Sequence, residues 1–404
     1  MRTIPRPSLS GRFVRLAGLA IAAALAAAAV PLLGGGPAAA DRRDPSAECE
    51  LPNVSGWTDE GHTTDYAQFQ RPQGVTTAAI LFVDFPDAPA KEPTDGYYDF
   101  LAPAQDLMTQ FSAGAVQLKI TPVPHWLRMP QRSASYRFER GISWPQQALY
   151  VRQAGELAAR YADLSQYDMV YIVPTKNAYA ITFSPAYLYD PAKPNLVVHG
   201  KEVKWGVTFG QDMYHWGPKV ALHETGHTFG LPDLYSFSDP SVHNYVGGFD
   251  LMGNIIGDAP HHFGWEDWKV GWLADRQVAC LNAPGRFSVR LSEVESLGGT
   301  KIAVVRTGPT SAIVAESRKP YGVDKAICKS GVVVYKVDSA TATGDGPIRV
   351  QNSSPGTPTT RACDQPVDWG AYKPGQAFHD PATGVTIAVN ASSQTGDVVT
   401  VTKS

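Results

Sequence analysis

The run His223-Glu224-Thr225-Gly226-His227-Thr228-Phe229-Gly230-Leu231-Pro232-Asp233 constrains this 404-residue chain more than any other stretch, because it fits the pattern HExxHxxGxxD at every position. The apolar lead-in Val220-Ala221-Leu222 follows Pro218, a residue favoured in a helix's first turn, and predicts a helix running through His227. His223 and His227 then stand at i and i+4, about 5–6 Å apart at Cβ on one helical face, where two imidazoles can share one metal ion. Glu224, beside the first histidine, can reach a metal-bound water without ligating the metal, which is the place of a general base. Gly230 and Pro232 end the helix, and a left-handed glycine turns the chain so that Asp233 comes back as the third ligand. Three protein ligands leave a fourth position for water, as a catalytic zinc requires, whereas a structural zinc is closed by a fourth side chain. An ordinary polar helix face, or a site that takes Glu266 as third ligand, would leave the offsets of Gly230 and Asp233 without a reason.

Downstream, Gly247-Gly248-Phe249-Asp250-Leu251-Met252-Gly253 sets a methionine in a glycine-flanked turn. In metzincins such a methionine packs beneath the metal; the plainer reading of Met252 is a flexible apolar filler of the core. The stretch from His223 to Tyr235, the segment Phe249-Asp250-Leu251-Met252-Gly253 and the run GWEDWKVGWL at 264–273 together resemble the M6 family of secreted bacterial metalloproteases, the immune inhibitor A type. The run ILFVDFPD at 80–87 is similar to the first strand and loop of that family's catalytic domain. AESR at 315–318 and GVVVYKVD at 331–338 are similar to its downstream β segment, so the resemblance covers most of the chain after about residue 70. It implies zinc-dependent hydrolysis of protein or peptide substrates on a metzincin-like α/β zincin fold, with one catalytic Zn2+ and, in many members, bound structural Ca2+. Thr228 departs from the family's usual Asp after the second histidine, at a position that carries no necessary chemistry. Asp84, Asp87, Asp239 and Asp250 are calcium-ligand candidates by residue type and by this resemblance; their spacing makes no EF-hand.

A formal net charge of -3 provides no basic field for nucleic acid, while 43% hydrophobic residues suffice for a packed core. The length suggests two domains after processing. Arg2, Arg6, Arg12 and Arg15 precede an Ala/Leu-rich run at 16–33, and Ala38-Ala39-Ala40 offers a cleavage site before Asp41, so residues 1–40 read as a signal peptide. An uncleaved anchor is the alternative, since the apolar run approaches spanning length. After cleavage the chain is expected to be secreted, extracellular, free of a membrane anchor and monomeric. Cys49, Cys280, Cys328 and Cys363 suit an oxidising compartment and allow three pairings. The local pair Cys328–Cys363 is preferred, which leaves Cys49–Cys280; a latency thiolate from Cys49 on the metal is the competing idea.

Residues 41–73 are polar and irregular, an N-terminal extension or short pro-segment. The expected catalytic domain, 74–275, shows apolar strand candidates at 78–83, 118–120 and 169–173 and a helix at 144–161 spaced by Leu149, Val151 and Leu157. Strands, helix and strand ahead of the metal helix are the order of a mixed-sheet α/β zincin. From 276 to 404 the texture becomes that of an all-β, sandwich-like domain, with strands expected at 287–291, 301–306, 311–316, 331–337, 384–389 and 397–402. The Ser/Thr/Gly/Pro-rich stretch 339–360 reads as an exposed mobile loop. Tyr179, Phe183, Tyr187 and Tyr189 read as core or loop packing rather than substrate contacts. His243, His261 and His262, or Tyr235 and Tyr245, could supply a second metal site or a transition-state donor, although supporting roles are commoner for such residues. The pattern therefore points to a secreted zinc metalloendopeptidase with Glu224 as base. A catalytically silent secreted binding protein on a zincin scaffold is the rival, and the complete set of catalytic residue types does not favour it.

Overall fold

In the computed structural model, which describes residues 45–54 and 58–404, the apolar run at 78–83 lies near the middle of a five-stranded sheet. The expected signal peptide falls outside the described residues. In chain order the first half contains β1 (Gly74–Asp84), α1 (Asp95–Leu101), α2 (Ala104–Phe111), β2 (Val116–Arg128), α3 (Trp144–Ala158), β3 (Met169–Pro174) and β4 (Ala186–Leu188). A small hairpin of β5 (Val197–Val198) and β6 (Lys201–Glu202) precedes β7 (Trp205–Thr208), α4 (Met213–Trp216), α5 (Lys219–Thr228) and α6 (Gly264–Lys269). The sheet runs β2-β1-β3-β7-β4, parallel except for β4, which pairs antiparallel with β7.

Because both faces of this sheet are covered, β1 reads as a continuous apolar run rather than an alternating one. Ala78, Ile80 and Phe82 pack with Met108 and Phe111 of α2 and Val220 and Leu222 of α5. Ala79, Leu81 and Val83 pack on the opposite face with Ala148, Val151 and Ala154 of α3. β2 is longer than the expected 118–120 and carries Pro122 and Pro124, which an edge strand tolerates because one side needs no ladder donor. α3 starts where its sequence predicts, on a Ser143/Gln146 capping box, and ends at Ala158 rather than 161.

The second half contains β8 (Val278–Leu281), β9 (Gly285–Ser292), β10 (Ile302–Arg306), β11 (Ser311–Arg318), β12 (Gly331–Asp338), β13 (Ile348–Val350), β14 (Ala377–Asp380), β15 (Val385–Ser393) and β16 (Gly396–Lys403). All six expected β runs form strands; β8, β13 and β14, at three or four residues, are too short to show a period. One sheet runs β13-β12-β11-β10-β8, with β8 parallel to β10, and the other β14-β15-β16-β9. The protein is thus a mixed α/β structure with several sheets and few helices.

The larger of these two sheets is also buried on both faces, and side-chain parity shows how. Ala303, Val305, Ile313, Ala315, Val332 and Val334 face the smaller sheet. Their neighbours Ile302, Val304, Val314, Val333 and Tyr335 join the core that holds α5, Phe263 and Trp265. Packing therefore continues across the change of texture near residue 275. Residues 45–54 and 58–70 are built into the same core: Cys49 is bonded to Cys280, Leu51 and Phe69 are buried, and Trp265 Nε1 donates to Glu60 O at 3.2 Å. Cys328–Cys363 forms the second bridge, so Cys49 has no thiolate to offer a metal. No helix among the described residues is long and apolar enough to cross a membrane.

The stretch 339–360 differs from its expectation in its first part. Ile348–Val350 pairs with β12, Ser339 is buried, and the turn at 343–344 is bonded into the chain around Asp233. At 343–344 the polar residues make hydrogen bonds to another loop, whereas 355–360 are largely exposed, as expected.

Candidate metal centre

α5 begins directly after Pro218 and ends in a Schellman turn. Leu231 N donates to Gly226 O at 3.1 Å and Gly230 N to His227 O at 3.0 Å, with Gly230 at φ +96°, a conformation that strains any residue with a Cβ. That reversal returns the chain past the helix end, and Asp233 arrives beside the two histidines. His223 Nε2 lies 3.1 Å and His227 Nε2 3.3 Å from Asp233 Oδ1.

The other ring nitrogens fix the chemistry of this meeting point. His223 Nδ1 is 3.0 Å from Leu251 O, and His227 Nδ1 is 2.8 Å from Leu231 O. A carbonyl oxygen can only accept, so each Nδ1 carries a hydrogen, and in a neutral ring Nε2 presents its lone pair. With both rings neutral, two Nε2 lone pairs and a carboxylate oxygen converge with no hydrogen-bond donor among them, which calls for a positive charge at the centre, whether a proton on His227 or a metal ion. Burial alone would hold His227 neutral, but the Asp233 carboxylate outweighs it and raises the pKa to about 9. Burial likewise opposes ionised Asp233, yet the two imidazoles keep its carboxyl well below the usual range. The position suits a cation, and these three residues form a group able to hold a metal ion.

Each member is held from behind. Tyr171 of β3 bonds Thr225 on the rear of α5 at 2.6 Å. Met252 is fully buried, and a Cβ added at Gly226 would sit 3.0 Å from its sulfur, so the methionine packs against α5 at Gly226. Leu234 N donates to Met252 O at 3.0 Å, tying the aspartate loop to the methionine turn. Thr228 is buried, its hydroxyl donating to Thr225 O at 2.7 Å and its carbonyl accepting from Gln70 N at 2.8 Å. From the far half of the chain, Thr343 Oγ1 accepts from Asp233 N at 2.8 Å, and Gly344 N donates to Asp233 O at 3.0 Å. The backbone of the third donor is therefore gripped on both sides.

The three donors open onto a cleft of about 1030 Å³. Glu224 lines it, with Oε1 4.0 Å from His223 Nε2; burial raises its pKa to about 7, and the neighbouring imidazoles offset only part of that rise. Its carboxylate is thus poised near neutrality, where a general base is most effective. Tyr235 stacks on His223 with ring centroids 6.2 Å apart, and Arg140 Nη1 donates to its hydroxyl at 3.4 Å. Leu188, Trp216, Val220 and Phe237 make apolar walls.

Other candidates fall elsewhere. His243 lines the cleft and is bonded through Nδ1 to Gly253 O at 2.7 Å. Tyr245 lies under Arg349, whose guanidinium is 4.0 Å from the ring centre. His261, His262 and Glu266 are buried outside the cleft, so Glu266 is no ligand of this group. Asp84 is taken by Arg128 at 2.7 Å, Asp87 by Ser133, and Asp239 by Ser241 N and Asn244, which leaves none of the three in a shared cation cage. Of the aromatic set, Tyr187 is core and Tyr179 exposed, whereas Phe183, expected to be packing only, lines the cleft. Arg140 and Thr343 were missed because they lie 83 and 110 residues from His223 and Asp233, and no local pattern marks them.

No protein-family model matches this chain and no curated protein sequence matches it, so the chemistry of the site rests on its own geometry.

Proposed function

We propose that the protein is a secreted zinc-dependent endopeptidase on a zincin-like scaffold, with His223, His227 and Asp233 holding one Zn2+ and Glu224 as general base. The observation that carries this reading is the locked tautomer of both histidines, which directs two Nε2 lone pairs at one carboxylate oxygen beside a glutamate in an open cleft. Two imidazoles and one carboxylate suit zinc, whereas calcium and magnesium take mostly oxygen donors. Bound there, zinc would polarise a peptide carbonyl and lower the pKa of a water to about 7. Glu224 would accept the proton of the attacking water and return it to the leaving amine. The apolar walls would bury side chains of an extended substrate, and the two disulfides fit an oxidising, extracellular-type compartment.

Removal of the metal tests this reading. Chelator-treated protein is expected to lose casein hydrolysis and to regain it on addition of Zn2+; hydrolysis that persists after the metal of this site is gone would contradict it. The grip on Asp233 gives a finer expectation. Thr343→Val leaves Asp233 N without its acceptor and should weaken metal retention about tenfold, the low end for residues that orient a ligand, while Thr343→Ser restores it. Competition with a chelator of known affinity measures both variants.

A further inference from the structure

We propose that Asp250, His262 and Glu266 hold a second divalent ion of the zinc-like transition-metal class, as an internal structural centre apart from the cleft. His262 Nδ1 lies 3.3 Å from Glu266 Oε2 and 3.5 Å from Asp250 Oδ1, and all three side chains are at most 3% exposed. None of them lines the cleft. A tetrahedral ion with bonds of about 2.0–2.1 Å places its ligand atoms about 3.3–3.4 Å apart. A direct charge-assisted N–H···O bond would draw the same atoms to about 2.7–2.9 Å. The observed spacing matches the former, and it repeats the 3.1 and 3.3 Å seen among His223, His227 and Asp233.

Charge balance is the independent observation. Glu60 is fully buried with neither carboxylate oxygen hydrogen-bonded, and Glu266 Oε1 has no hydrogen-bond partner either. Burial and then Asp250 raise the pKa of both Glu60 and Glu266, whereas Asp250 itself is held below its usual range because bonds to His262 and Glu266 outweigh its burial. Buried carboxylates in such company are costly unless positive charge sits among them. One basic side chain, Lys269, acts on Glu60 and Glu266, and it is shared with Asp59. The Lys269 ammonium donates to the carbonyls of Gly230 and Asp59, and the Arg318 guanidinium is bound to Glu316, Asp324 and the carbonyls of Ala259 and His261. Lys269 offsets one of the three carboxylates Glu60, Asp250 and Glu266, and a divalent ion among Asp250, His262 and Glu266 would supply the rest of the balancing charge. Asp250 is already oriented as ligating carboxylates are, accepting from Met252 N and Phe263 N at 2.6 Å each. The imidazole donor and the small number of oxygens exclude the six to eight oxygens that calcium takes. Such an ion would tie the Met252 turn to α6 at one point.

The test is metal content by mass spectrometry on the full secreted chain, read independently of proteolysis. His223→Ala/His227→Ala, which lacks the cleft donors, is expected to retain one equivalent of transition metal, and adding Glu266→Gln to it should remove that equivalent. Glu266→Gln alone should also lower Tm. If the three residues merely share a proton, glutamine imitates the protonated acid and Tm stays unchanged, which would overturn the proposal. A metal-free double variant, or calcium in place of a transition metal, would overturn it as well. Should the variants fail to fold, zinc-edge anomalous diffraction on the wild-type protein decides: a second peak among Asp250, His262 and Glu266 supports the centre, and its absence refutes it.

Discussion

Glu224→Gln is expected to reduce peptide-bond hydrolysis about 10³-fold, within the range typical of a lost general base, while metal content and fold stay near wild type. The carboxamide has the same shape, lies beside the His223 ring and cannot accept a proton from water. None of the three converging donor atoms belongs to Glu224, so the metal group is untouched. Because burial already disfavours the charged carboxylate and raises its pKa to about 7, a neutral side chain of equal size should not weaken the fold. The measurement pairs kcat/KM on a fluorogenic peptide with metal content and Tm for the same sample. A wild-type rate in this variant would remove Glu224 from the chemistry.

Asp233→Ala has the second-largest expected effect, and of a different kind, because metal and activity should fall together. Its Oδ1 is the only atom that meets both Nε2 nitrogens at 3.1 and 3.3 Å among the described residues, and its removal leaves the two imidazoles without the carboxylate between them. Since losing a residue that merely orients a ligand costs 10–100-fold in affinity, losing the ligand itself should cost about 100-fold or more. Glu266→Gln, whose side chain lies outside the cleft, should leave the metal of the cleft in place. The reverse outcome, with Asp233→Ala normal and Glu266→Gln metal-free at the cleft and inactive, would reassign the third ligand.

These expectations show which parts of the site could be read in advance. His223, Glu224, His227, Gly230 and Asp233 are legible because one helical turn and one glycine-dependent reversal link them, and such local geometry is written in residue spacing. The β runs after residue 276 were legible for the same reason, since apolar residues in strands bounded by turn formers need no distant partner to be recognised. What could not be read depends on contacts between remote segments. The polar stretch 339–360 looks like solvent-exposed loop by composition, yet Thr343 and Gly344 satisfy both backbone groups of Asp233, so the second half of the chain completes a site whose donors all come from the first. Likewise, β10, β11 and β12 carry apolar residues at odd and even positions alike, and only the structure shows that one parity faces the smaller sheet and the other the α5 core. Burying that sheet on both sides is what lets a loop hanging from it position a ligand firmly.

The most direct measurement is the cleavage of an unfolded protein by the purified wild-type chain, mapped by mass spectrometry of new peptide termini, with the Glu224→Gln variant as its control. New internal termini that appear with the zinc-loaded wild-type protein, and not with the variant or after chelation, are the predicted result. A zinc-loaded protein that binds the substrate yet produces no new termini would contradict the account and leave the cleft as a binding site alone.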